Sequence, residues 1–136
     1  MPKISVVMVK PGQRAYCDCL DNTLESLQKA VEGDIEAFYP FREDVCIICN
    51  DIGKLNGMPP CRALCDENGS LLDILYGPFF LCGCSGEDFS SLSEKQLERY
   101  TNLFLYPEYF LQAGEDLIVQ KHDSESGGQI LTEIKF

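Results

Sequence analysis

The run Lys3-Ile4-Ser5-Val6-Val7-Met8-Val9 is almost wholly apolar and rich in β-branched residues. That is the pattern of a strand inside a sheet rather than at its edge. Pro11-Gly12 breaks the run. A second strand pattern follows from Ala15 to Leu20, so the chain opens as a hairpin. Asn22 suits a helix N-cap, with Glu25 where a capping-box acid belongs. Leu24, Leu27 and Val31 then share one helical face, and Gly33 is placed to end the helix. Asp34 to Phe41 alternates in part, with Ile35, Ala37 and Tyr39 on one side, and Val45 to Asn50 reads as the next strand.

Arg62 to Asp66 and Leu71 to Tyr76 flank Glu67-Asn68-Gly69-Ser70. Asn-Gly between two such runs is a strong hairpin signal. Gly77-Pro78 turns the chain again, into a buried strand from Phe79 to Cys84. Ser93 and Gln96 make a second capping box, ahead of a stripe formed by Leu97, Tyr100 and Phe104. Pro107 suits the first turn of one more short helix, ending near Gly114. Leu117 to Gln120 reads as a short strand, and Ile130, Thr132, Ile134 and Phe136 alternate as an edge strand or a strand that pairs with another chain. The expected fold is α+β: an antiparallel or mixed sheet with two or three helices packed on one face. Residues 1–121 are read as a single globular domain, and 122–136 as a mobile polar segment with a C-terminal edge strand.

At 136 residues the chain is long enough to bury a core. No run approaches the ~18 apolar residues of a membrane span. No signal-peptide pattern follows Met1, so a cytoplasmic protein is expected. The net charge of −11 argues against a long nucleic acid as partner, because phosphate neutralisation needs a basic stripe. It leaves a solubilising surface, or an acidic face that docks on a basic protein site.

Eight cysteines stand at positions 17, 19, 46, 49, 61, 65, 82 and 84. In a cytosolic chain they suggest metal, redox chemistry or small buried hydrophobes. Cys46 and Cys49 have redox-motif spacing, but residues i and i+3 of a strand point to opposite faces. The core is the better reading for that pair. Cys17 with Cys19, and Cys82 with Cys84, each place two thiols on one side of a strand. Were the two strands neighbours, four sulfurs would converge as a metal site, although structural zinc favours other spacings. His122, the only histidine, has no orienting partner nearby in sequence, which argues against a catalytic role. Adjacent acids such as Glu43-Asp44 read as solvated surface.

The richest connection runs from Asn50 to Leu64 and packs glycines, prolines, Lys54 and Arg62 between two strands. Gly53-Lys54-Leu55-Asn56-Gly57 is no P-loop, since no Ser or Thr follows the lysine. Its glycines still permit close approach to a ligand, and Lys54 and Arg62 suit an anion. Gly53, Lys54, Asn56, Gly57 and Arg62 are therefore the candidate ligand-binding residues. The plain alternative is that these residues only shape a long connection.

This loop, together with Leu27-Gln28-Lys29-Ala30-Val31, Pro59, Arg62-Ala63-Leu64, Asp73-Ile74, Gly77, Cys82-Gly83-Cys84 and Gly86-Glu87-Asp88-Phe89, resembles an uncharacterised domain family of phages, plasmids and conjugative elements of Firmicutes. The similarity runs from about Lys3 to Gln112. It implies an asparagine before the arginine, where this chain has Cys61, and a glycine before Gly33, where it has Glu32. It also implies a role in counteracting host defence, and no catalytic residues. Three readings follow: a non-catalytic binder of a host protein, a protein that sequesters a small phosphorylated nucleotide, and a metal-dependent enzyme. The first is preferred, and no cofactor is expected.

Overall fold

The three most apolar runs lie side by side in the middle of one sheet. In a computed structural model, which describes residues 2–66, 68–114, 116–122 and 130–135, β1 (Lys3–Val9), β7 (Phe79–Gly83) and β4 (Val45–Asn50) are its central strands. β2 (Tyr16–Asp21) and β3 (Ile35–Phe38) complete the order β2-β1-β7-β4-β3, with every neighbouring pair antiparallel. Every residue of β4 and of β7 is buried. A strand buried on both sides needs a layer on each face, and strand alternation sorts the core accordingly. Val7, Val9, Val45, Ile47, Phe79 and Leu81 face one way. Val6, Met8, Cys46, Ile48, Phe80 and Cys82 face the other. Each large apolar side chain so enclosed contributes about 1.5–3 kcal/mol.

The first face is covered by α2 (Glu94–Leu103) and by the hairpin of β5 (Pro60–Cys65) and β6 (Leu71–Tyr76), through Leu64, Leu75, Tyr100 and Phe104. The second is covered by α1 (Leu24–Val31), through Leu27 and Val31. The helices thus lie on opposite faces rather than on one. Leu24, expected on the buried stripe, is 61 % exposed.

Both helix starts are capped. Ser93 and Gln96 form the expected capping box of α2. At α1 the cap is Thr23 rather than Asn22: the Thr23 hydroxyl accepts from the Ser26 N–H at 3.2 Å. Asn22 instead donates to the Phe89 carbonyl at 2.9 Å. At the other end the left-handed residue is Glu32, with φ 62°, not Gly33. Gly33 serves a different need, because a Cβ there would sit 2.6 Å from the Asn50 amide nitrogen.

The expected helix after Pro107 is a strand, β8 (Tyr109–Ala113). It pairs with β9 (Asp116–His122) across a tight turn at Gly114, whose φ is 64°. Phe110 faces Val119, which is fully buried, and this cross-strand pairing outweighs the helix-start signal of the proline. β10 (Ile130–Lys135) adds to β9 in a separate three-stranded sheet. Residues 123–129, expected to be a mobile segment, lie outside the described residues.

Candidate functional site

The glycine-rich connection is a folded structure of its own. The Asn50 side chain accepts from the Ile52 N–H at 2.9 Å and starts a run of turns through Gly57. Asn56 N–H bonds back to the Ile52 carbonyl, and Met58 N–H to that of Gly53. A Cβ on Gly53 would lie 2.7 Å from the Tyr76 carbonyl oxygen, so its glycine lets the loop lie against β6. Gly57 takes φ 72° in the turn. Both glycines have local structural reasons that involve no ligand.

Lys54 and Asn56 are exposed on this loop, whereas Arg62 is fully buried. The Arg62 guanidinium is spread over backbone carbonyls. Nε and Nη2 donate to Phe104 O at 3.2 and 3.0 Å, Nη2 to Gln13 O at 2.7 Å, and Nη1 to Cys61 O at 2.9 Å. Burial lowers its pKa, while Cys61 and Glu108 act the other way. Nη1 also reaches the Cys61 sulfur at 3.8 Å, so an asparagine at 61 would offer this donor a side-chain oxygen. Arg62 is therefore an internal clamp holding β5 to the segment after α2 and to the β1–β2 turn.

Lys54 lines a cleft of about 240 Å³ that has no wall from Arg62. Its other charged walls are Glu36, Asp51 and Asp73. Three carboxylates against one ammonium make a poor phosphate site. These acids also help push the Cys49 thiol, already raised by burial, up to about 12. The candidate ligand residues are thus not gathered around an anion.

A larger cleft, of about 1050 Å³, opens between α2, the β5–β6 hairpin and residues 40–43. Phe41 and Tyr100 line it with ring centroids 4.8 Å apart. The Arg99 guanidinium lies 5.6 Å from the Tyr100 ring centre. Glu43 ties the wall together: it pairs with Arg99 and accepts from Gln96 at 2.5 Å. The Gln96 bond holds the Glu43 carboxyl below its usual range, helped by Tyr100 and Arg99. Burial and the Glu43 carboxylate push the Tyr100 hydroxyl up to about 12. Arg42, Asn68 and exposed Leu103 complete the rim. Sequence reasoning passed over this site, reading Glu43-Asp44 as solvated acids. Its available signal was Pro40-Phe41-Arg42, an aromatic and a base in one short connection.

The cysteines follow the strand faces. Cys46 and Cys49 are both buried and point to opposite faces, as their spacing requires. Cys17 and Cys19 lie on edge strand β2, on the α2 side, where Cys17 contacts the Thr101 hydroxyl at 3.5 Å. Cys82 and Cys84 point to the α1 side, and β1 separates their strand from β2. The four sulfurs do not converge. Among the described residues, no three His, Cys, Asp or Glu side chains form a metal-binding group. His122 closes β9. Among those residues no helix is long and apolar enough to cross a membrane.

Residues 4–105, from β1 through the end of α2, match the family described as a domain of unknown function, DUF3846. The chain belongs to that family. The matched span holds the five-stranded sheet, both helices and the β5–β6 hairpin, and both clefts lie within it. The β8–β10 sheet lies beyond it. No curated protein and no solved structure matches the chain.

Proposed function

We propose that this member of DUF3846 is a non-catalytic binding protein of a mobile genetic element, that it acts on a host protein, and that the cleft beside α2 is where it docks. The cleft itself carries the reading. Its volume of about 1050 Å³ is at the upper end of small-ligand pockets, which run to about 1,000 Å³. Its walls combine tyrosine, phenylalanine and arginine, and tyrosine and arginine are enriched where proteins bind proteins. Leu103, 60 % exposed on its rim, suits an apolar contact with a partner. The charge of −11 favours a partner with a basic surface and speeds the encounter. The association with mobile elements rests on the sequence resemblance.

The test is capture from lysate of a host cell, with wild type beside Leu103→Asp and Lys54→Ala. Both changed side chains are exposed, so both variants should fold. A stoichiometric partner held by wild type and Lys54→Ala but lost with Leu103→Asp is expected. Capture indifferent to Leu103→Asp would move the function away from this cleft. A nucleotide carried through purification, detected by native mass spectrometry, would favour sequestration instead.

A further inference from the structure

The sulfurs of Cys46 and Cys82 lie 3.7 Å apart, on residues that face each other across the central β4–β7 pair. Directly opposed residues of an antiparallel pair hold their Cβ atoms about 4.5–5.5 Å apart. A disulfide needs about 3.5–4.5 Å, so a small adjustment closes the gap. Both residues are fully buried, in the core layer beneath α1. A third thiol adjoins them. Cys84, just past the end of β7, points to the same face, stands diagonal to Cys46 in the β4–β7 register, and is only half-buried, beside exposed Ser85 and Gly86. The other cysteines make different contacts. The Cys49 sulfur donates to the Glu36 carbonyl, and Cys17 and Cys19 contact the hydroxyls of Thr101 and Ser5.

We infer that Cys46, Cys82 and Cys84 form a thiol–disulfide site, in which a low-molecular-mass disulfide enters at Cys84 and the bond comes to rest between Cys46 and Cys82. The Cys84 thiolate attacks one sulfur of the small disulfide RSSR and expels RS⁻. Cys46 attacks the Cys84 sulfur, expels the second RS⁻ and forms a Cys46–Cys84 bond. Cys82 then attacks the Cys46 sulfur, Cys84 leaves as thiolate, and the Cys46–Cys82 bond remains. Two protein thiols lose two electrons and two protons, and RSSR becomes two RSH. Access gives Cys84 the first attack, since it alone of the three is not fully buried, while burial and Cys46 hold its thiol up at about 11; electrostatics order the two buried thiols. The hydrogen bond with Cys82 favours the Cys46 thiolate, whereas that bond and burial keep Cys82 protonated. The product staples β4 to β7 at the middle of the sheet.

The test uses the reduced full chain and oxidised glutathione in the absence of denaturant. The chain is quenched and unfolded in acid, free thiols are alkylated while it is denatured, and linked peptides are mapped by mass spectrometry after digestion. A Cys46–Cys82 link is expected, with Cys49 recovered as a thiol. Cys84→Ser should reach the same link more slowly, by roughly tenfold or more, because the accessible entry thiol is gone. Cys84→Ala is the second variant, and the wild-type map decides the pair without either. Cys46 and Cys82 recovered as thiols, after exposure that fully modifies Cys17 and Cys19, would overturn the inference. So would a final link between any other pair.

Discussion

The Asn50 side-chain amide donates to the Val31 carbonyl at 3.1 Å, so the last residue of β4 satisfies the last carbonyl of α1. The same side chain accepts from Ile52 N–H and starts the loop beyond. It is 6 % exposed, so water does not replace these bonds. Asn50→Ala should cost about 2–4 kcal/mol, the sum of two buried hydrogen bonds and the groups they leave unpaired. Urea unfolding checks it, as a lower midpoint at unchanged slope.

Positions 32 and 33 should respond to substitution with opposite signs. Glu32 is the only non-glycine at positive φ among the described residues. Glu32→Gly removes that strain and should stabilise the chain by roughly 0.5–1 kcal/mol, less than the full left-handed penalty because glycine also loosens the unfolded chain. Gly33→Ala would press a methyl against the Asn50 amide, which two hydrogen bonds hold in place. It should destabilise by about 1–3 kcal/mol. Thermal melts of the two variants should therefore move in opposite directions from wild type.

Arg62 should prove irreplaceable by lysine. Arg62→Ala strands the carbonyls of Phe104, Gln13 and Cys61 in the interior and should cost about 3–5 kcal/mol. Arg62→Lys keeps the charge but lacks the planar fork, and should still cost about 2–3 kcal/mol. Chemical denaturation of both variants tests this. A near-neutral Arg62→Lys would mean that charge, rather than the fan of donors, holds the three segments together.

The pairing around Glu43 predicts a pH dependence. Its folded pKa lies below the ordinary value of 4.5. The stability it contributes is therefore present above about pH 4.5 and is lost as pH falls through the lower folded value. Glu43→Gln should melt below wild type at pH 7, and the two curves should converge in strong acid. The side chain is 34 % exposed, so the gap at pH 7 should be small and should narrow further in high salt.

Strands were the legible part of this chain. The continuous apolar runs of β1, β4 and β7 and the Asn-Gly turn between β5 and β6 specify their structure locally. So does the capping box of α2. The stretch after Pro107 was misread because a helix-start signal is local, whereas Phe110 and Val119 gain their burial across a strand pair. The site was harder. Lys54 and Arg62 sit close in sequence, yet one faces water and the other is enclosed by segments far along the chain. Phe41 and Tyr100, which line the larger cleft, come together only when residues 40–43 meet α2. Nothing in local spacing signals such a meeting.

The burial of Arg62 bears on how loss-of-function variants in this family should be interpreted. A charge-to-alanine scan would mark this arginine among its most damaging positions, and the obvious inference would be contact with an anion. With its donors turned inward to Phe104, Gln13 and Cys61, the variant would fail by depleting folded protein rather than by losing a ligand. Abundance measured beside activity would tell a broken brace from a broken binding surface.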